Sequence, residues 1–177
     1  ILSDSFFVLW LFLPAGIANM VPVFLAKIPG LAKLNAPLDF GLKWRGVRLL
    51  GDHKTIRGLV GGAIVGGIIC YLQSFVGDAT STLAVQINPF LFGLLLGAGA
   101  LLGDAIKSFF KRQIGIASGS SWFPFDQIDY ILGAILITSP LIQLSLQQYV
   151  LTIVLWFALH LLTVLIGYLL NLRKDVI

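Results

Sequence analysis

Apolar residues in this chain gather into long blocks separated by short polar stretches. Five blocks approach the roughly 20 residues that a helix needs to cross a hydrocarbon core: positions 6–25, 58–76, 88–109, 125–144 and 148–170. The pattern predicts an all-α integral membrane protein with five transmembrane helices, read as one domain over residues 1–177. Long loops are expected at 26–57 and 110–124, and short turns at 77–87 and 145–147. The first block carries Asp4 and no preceding cluster of cations, so it reads as a retained span and not as a cleaved signal peptide.

Composition agrees with lipid as the solvent. Apolar residues make up 58% of the chain and charged residues 11%, against about 45–50% and about 25% in a soluble domain. The positions of the charges then give an orientation. Of the twelve Lys and Arg residues, seven fall in the first loop (Lys27, Lys33, Lys43, Arg45, Arg48, Lys54, Arg57). Three more are Lys107, Lys111 and Arg112, and the last two are Arg173 and Lys174. With five spans all twelve share one side, so the positive-inside rule predicts an outside N-terminus, a cytoplasmic C-terminus and a polar site facing the cytoplasm. The net charge of +4 therefore reports topology, and no nucleic-acid partner is expected. The lone Cys70 excludes a disulfide framework and a cysteine zinc site, and reads as packing. Gly62 and Gly66, then Gly93 and Gly97, are spaced for close helix contact in lipid. No internal repeat supports an inverted-repeat transporter.

Three polar clusters remain, and each maps to the predicted cytoplasmic boundary. GDHKTIRG (51–58) sets Asp52, His53, Lys54, Thr55 and Arg57 at a helix N-terminus, which suits an anion, although a basic stretch before a span is also a plain topology signal. GDAIKSFFKR (103–112) sets Asp104, Lys107 and Lys111 on one helical face, with Asp104 about one turn inside the apolar boundary. Its bland alternative is an Asp104–Lys107 pair that merely neutralises itself. PFDQIDY (124–130) sets Asp126 and Asp129 on one side of a helix start, where either could be only a cap. All eight acidic residues are Asp. Carboxylates beside clustered cations suit a hard cation such as magnesium with a polyphosphate. A lipid phosphate is already anionic and needs no general base. His160 stands alone in its block and reads as a hydrogen-bonded interior residue.

The three motifs, in this order and with five spans, resemble the CDP-archaeol synthase family, and the pattern is also similar to the C-terminal half of the larger phosphatidate cytidylyltransferases. The latter carry an additional N-terminal half, which favours the ether-lipid version of the reaction. The resemblance implies a magnesium-dependent attack of an unsaturated diether glycerol phosphate on the α-phosphorus of CTP. It would release pyrophosphate and leave a CDP-activated lipid for membrane phospholipid synthesis. Asp104, Asp126 and Asp129 would then be the metal-associated catalytic carboxylates, with Lys107 beside them. Lys54, Thr55, Arg57, Lys107, Lys111 and Arg112 would hold phosphates. The stretch PLDFGLKWRGVRLLGDHKT, with Asp39, Lys43, Arg45 and Arg48, would help close the site, and its Lys43 and Arg48 would also bind CTP phosphate. Two rival readings stay open: a CTP-dependent polyprenol kinase, and a small ion or solute transporter with Asp104 and Asp129 along its path.

Overall fold

The computed structural model describes residues 2–76 and 87–169. Within them lie five α-helices: α1 (Leu2–Leu25), α2 (Ile56–Gln73), α3 (Pro89–Gln113), α4 (Phe125–Thr138) and α5 (Leu146–Leu169). Four of them are long and apolar enough to cross a membrane: α1, α2, α3 and α5. The turn expected at 77–87 lies almost wholly outside the described residues, as do Arg173 and Lys174.

The fourth expected span is shorter than its apolar run. α4 holds 14 residues, or about 21 Å of rise, and stops at Thr138 instead of 144. Ser139 is followed by Pro140, whose ring clashes with a helical preceding turn and whose nitrogen cannot donate. The chain turns there, with the amides of Leu141 and Ile142 donating to the Thr138 carbonyl at 2.8 and 3.1 Å. Ser145 and Gln148 then start α5 as a reciprocal capping box, each side chain accepting from the other's amide at 3.0 and 3.2 Å.

α3 is the centre of the bundle and packs on α1, α2 and α4, whereas α5 lies at the periphery against α1 and α4. The core joins Phe12 of α1, Phe92 and Leu96 of α3 and Ile131 of α4, all fully buried. Two glycine seams set the spacing. At Gly66 a Cβ would meet the Gly93 carbonyl and the Gly97 Cα, which accounts for the glycine spacing seen in the sequence. A second seam was not expected: Gly103 and Gly133 bring α3 and α4 into backbone contact, where a Cβ on Gly103 would meet the Asp129 carbonyl. Cys70 is buried against the first seam.

One departure from all-α structure lies in the first loop. Strands β1 (Lys43–Trp44) and β2 (Val47–Arg48) form an antiparallel hairpin. Its two-residue turn has positive φ at both Arg45 and Gly46, the conformation that lets a tight turn match the right-handed twist of its two strands.

Candidate active site

The polar end of the bundle is assembled from three segments. Residues 36–38 run antiparallel to 54–56: Pro37 bridges Thr55, and the Leu38 amide donates to the Lys54 carbonyl at 2.7 Å. The Thr55 hydroxyl then caps α2 by accepting from the Gly58 amide at 3.1 Å. This fixes Lys54 opposite α3, where its ammonium pairs with Asp104. α3 contributes Asp104, Lys107 and Lys111 from one face, and the first turns of α4 contribute Asp126 and Asp129.

These groups meet around one ammonium. Lys107 Nζ lies 3.1 Å from Asp104 Oδ1, 2.5 Å from Asp126 Oδ1 and 2.8 Å from Asp129 Oδ2. Lys111 Nζ reaches both Asp126 oxygens at 3.1 and 2.9 Å and donates to the Ser120 carbonyl at 2.5 Å. The Asp126 carboxylate also accepts from the Trp122 amide at 2.6 Å, so it serves the start of α4 as well. Three cations and three anions therefore alternate, and the Asp104–Lys107 pair is part of a network and not an isolated neutral couple. Formal charges balance, which is how charges at this depth are tolerated.

The other expected phosphate-binding residues do not join this cluster. Thr55 is occupied as a cap. Arg57 donates to the Leu31 carbonyl at 2.5 Å and, at 3.4 Å, to Asn35. Arg112 donates to the Ala117 carbonyl at 3.0 Å. Lys43 is exposed on the hairpin. Arg48 pairs with Asp39 and Asp52, both at 2.7 Å. Asp39 is the hub of that loop: its buried carboxylate accepts from Arg48 and from the amides of Gly41, Leu50 and Gly51. Burial alone would raise its pKa, yet Arg48 and the Leu50 and Gly41 amides hold it well below the usual carboxylate range.

Three cavities meet the cluster. One of about 530 Å³ is walled by α1, α2 and the first loop and includes Lys54, Thr55, Arg57 and Asp104. A second, of about 820 Å³, includes His53, Lys54, Lys107, Lys111, Arg112 and Asp126, with the serine-rich stretch 118–121. The third, of about 300 Å³, opens between α3 and α4 beside Lys107 and Asp129.

A family model described as CarS-like: CDP-archaeol synthase matches residues 1–177. The chain belongs to the CDP-archaeol synthase family. It is 39% identical over 163 residues to the CDP-archaeol synthase of Methanospirillum hungatei, covering 88% of this chain and 98% of that one. The CDP-archaeol synthase of Methanopyrus kandleri is 38% identical over 170 residues, 94% of this chain and 90% of that one. A solved structure described as an intramembrane enzyme for archaeal membrane lipids biosynthesis superposes with a TM-score of 0.72 at 32% identity, covering 88% of this chain and 90% of that chain.

The magnesium expected for a CDP-archaeol synthase can be tested against the donors present. Asp104, Asp126 and Asp129 offer only carboxylate oxygens, which a hard cation takes. Asp129 Oδ2 is buried and faces the Lys107 ammonium at 2.8 Å. The donor chemistry fits a divalent ion. The convergence itself is onto Lys107, and among the described residues no three acidic, His or Cys side chains form a ready ligand set.

The structure adds neighbours to His160 that its sequence block does not show. It is not remote from the polar groups: its ring tilts against Tyr130 with centroids 6.0 Å apart, and it lines the 820 Å³ cavity with Lys107 and Asp126. No local signal could reveal this, because its neighbours come from α3 and α4.

Proposed function

We propose that residues 1–177 form a single transmembrane unit whose site faces the cytoplasm, with the N-terminus outside and the C-terminus inside. The reaction is CTP-dependent cytidylyl transfer to a lipid phosphate in archaeal lipid synthesis. The observation that carries the site assignment is the meeting of three aspartates and three lysines, from separate segments, beside a polar cavity of about 820 Å³. The orientation rests on ten cations, seven in the first loop and three after Gly103, gathered at the same end as that cavity.

CTP occupies the polar cavity with its triphosphate toward Lys54, Lys107, Lys111 and Arg112. Arg57, Thr55, Lys43 and Arg48 support the loop that bounds it. Asp104, Asp126 and Asp129 would hold magnesium, which when bound supplies positive charge against the triphosphate. The lysines orient the two anionic reactants so that an oxygen of the lipid phosphate meets the α-phosphorus. A new P–O bond forms there, the α–β bridging bond breaks, and pyrophosphate leaves with that electron pair. Lys107 and Lys111 neutralise charge shifting onto the leaving group, the electrostatic help such transfers depend on. No proton need be removed from the nucleophile.

Labelled CTP tests the reaction directly. Label at the α position should enter the lipid with one pyrophosphate released per turnover, and lipid carrying only γ-label would instead establish a kinase.

A further inference from the structure

The hairpin of the first loop is amphipathic. Its register opposes Trp44 to Val47 and Lys43 to Arg48, and the Leu49 amide donates to the Leu42 carbonyl at 3.0 Å, extending the same pairing by one step. Side chains alternate along a strand, so Leu42, Trp44, Val47 and Leu49 share one face, and Lys43 and Arg48 the other. Leu42, Trp44 and Val47 are exposed, as is the neighbouring Phe40. The opposite face is tied down, with Arg48 paired to Asp39 and Asp52. Among the described residues, none from 40 to 48 lines either polar cavity. A contiguous exposed apolar patch of this kind marks a contact surface.

Position and charge together name its partner. The hairpin is rooted at the end of a span, because Leu38 and Lys54 are hydrogen-bonded across its base and Thr55 caps α2. From Asp39 to Trp44 the strand reaches about 20 Å at most, and β2 lies against α3, which is itself long and apolar enough to cross a membrane. The apolar face is therefore within reach of the bilayer around these helices. Residues 26–57 carry seven cations against two aspartates. Both aspartates are held by Arg48, which leaves the tip, with Lys43 and Arg45, positive. A tryptophan beside a cation suits the layer where hydrocarbon meets headgroups. We infer that the hairpin is a membrane foot: Leu42, Trp44 and Val47 enter the headgroup layer of the bilayer, and Arg45 meets its anionic headgroups. Through Arg48 and Asp52 the foot steadies the segment that carries Lys54.

Spin labels on single cysteines test this in the full chain, in a Cys70→Ser background and in nanodiscs holding one copy each. At Leu42→Cys and Val47→Cys, collisions with oxygen, which concentrates in lipid, should exceed those with a water-soluble nickel chelate. At Lys43→Cys, on the opposite face, the chelate should dominate. Adding Arg45→Gln should lower the docked-to-free ratio about 5-fold in discs of anionic lipid, the loss of one charge near the surface. Chelate-dominated collisions at both apolar positions overturn the inference, as does a docked share that is the same with and without anionic lipid. So does a label that is shielded only when CTP is added, since the hairpin would then close over the nucleotide. Shielding that appears only when two copies share a disc overturns it too, since the face would then be a contact between copies.

Discussion

Around Lys107, one ammonium is shared by three carboxylates, and the consequences of losing either partner differ. Replacing Asp129 by Asn removes a buried anion but keeps the volume, so Asp129→Asn should abolish turnover while the helical circular dichroism stays unchanged. A fully active variant would reduce Asp129 to a structural residue. Lys107→Met instead leaves three carboxylates facing one another without their counter-ion. Breaking a buried pair from one side costs about 3–5 kcal/mol, so the thermal midpoint should fall. Added magnesium should then raise it more in the variant than in the wild type. A midpoint that responds equally in both would count against the carboxylates as the magnesium site. Asp39 gives a second residue-level prediction. Its folded pKa lies below the ordinary 3.8, so the stabilisation it gives the loop is fully present above that value. It is lost as the pH falls below 3.8 toward the folded pKa. Amide exchange at Leu50 and Gly51, which donate to Asp39, should remain protected through the neutral range. Asp39→Asn should cost that loop about 1–3 kcal/mol and accelerate exchange at both amides; unchanged exchange would show that the loop is held by other contacts.

Among the elements, α3 and α4 matter most because their seam sits directly below the site. Gly133→Val would drive a side chain into the Gly99 carbonyl and the Gly103 Cα, spreading the helices and shifting Asp129 away from Lys107. Overpacking of this kind costs about 1–3 kcal/mol, and CTP turnover should fall further than thermal stability does. The helices themselves were readable from apolar runs because lipid demands continuous apolar surface. The end of α4 was not: the apolar run continues past Pro140, since burial and not helicity governs residues such as Ile142. Asp104, Lys107 and Lys111 could be assigned to one face because helical spacing alone fixes that relation. The shared ammonium could not be read, because it depends on how α4 meets α3. The loop around Asp39 was equally hidden. Its order comes from a positive-φ turn at Arg45 and Gly46 and from backbone amides that carry no side-chain signature.

At the scale of the whole molecule, the described residues gather their cations at one end of the bundle, and the proposed membrane topology rests on that asymmetry. In a Cys70→Ser background, Arg45→Cys should react with an impermeant thiol reagent only from the cytoplasmic side. Ser145→Cys, in the turn before α5, should react only from outside, and the reverse pattern would invert the orientation. Ten of the cations and the polar cavity lined by Lys107 share one end of the bundle, where the proposed function places the nucleotide. The claim beneath this arrangement is that Asp104, Asp126 and Asp129 serve one pocket. Equilibrium binding of Mn²⁺ together with CTP, read by the paramagnetic signal of the ion, tests it most directly. Each single Asp→Asn change should weaken that binding by about 10-fold or more, a loss of about 1.4 kcal/mol or greater. Wild-type affinity in any of the three variants would contradict the shared pocket.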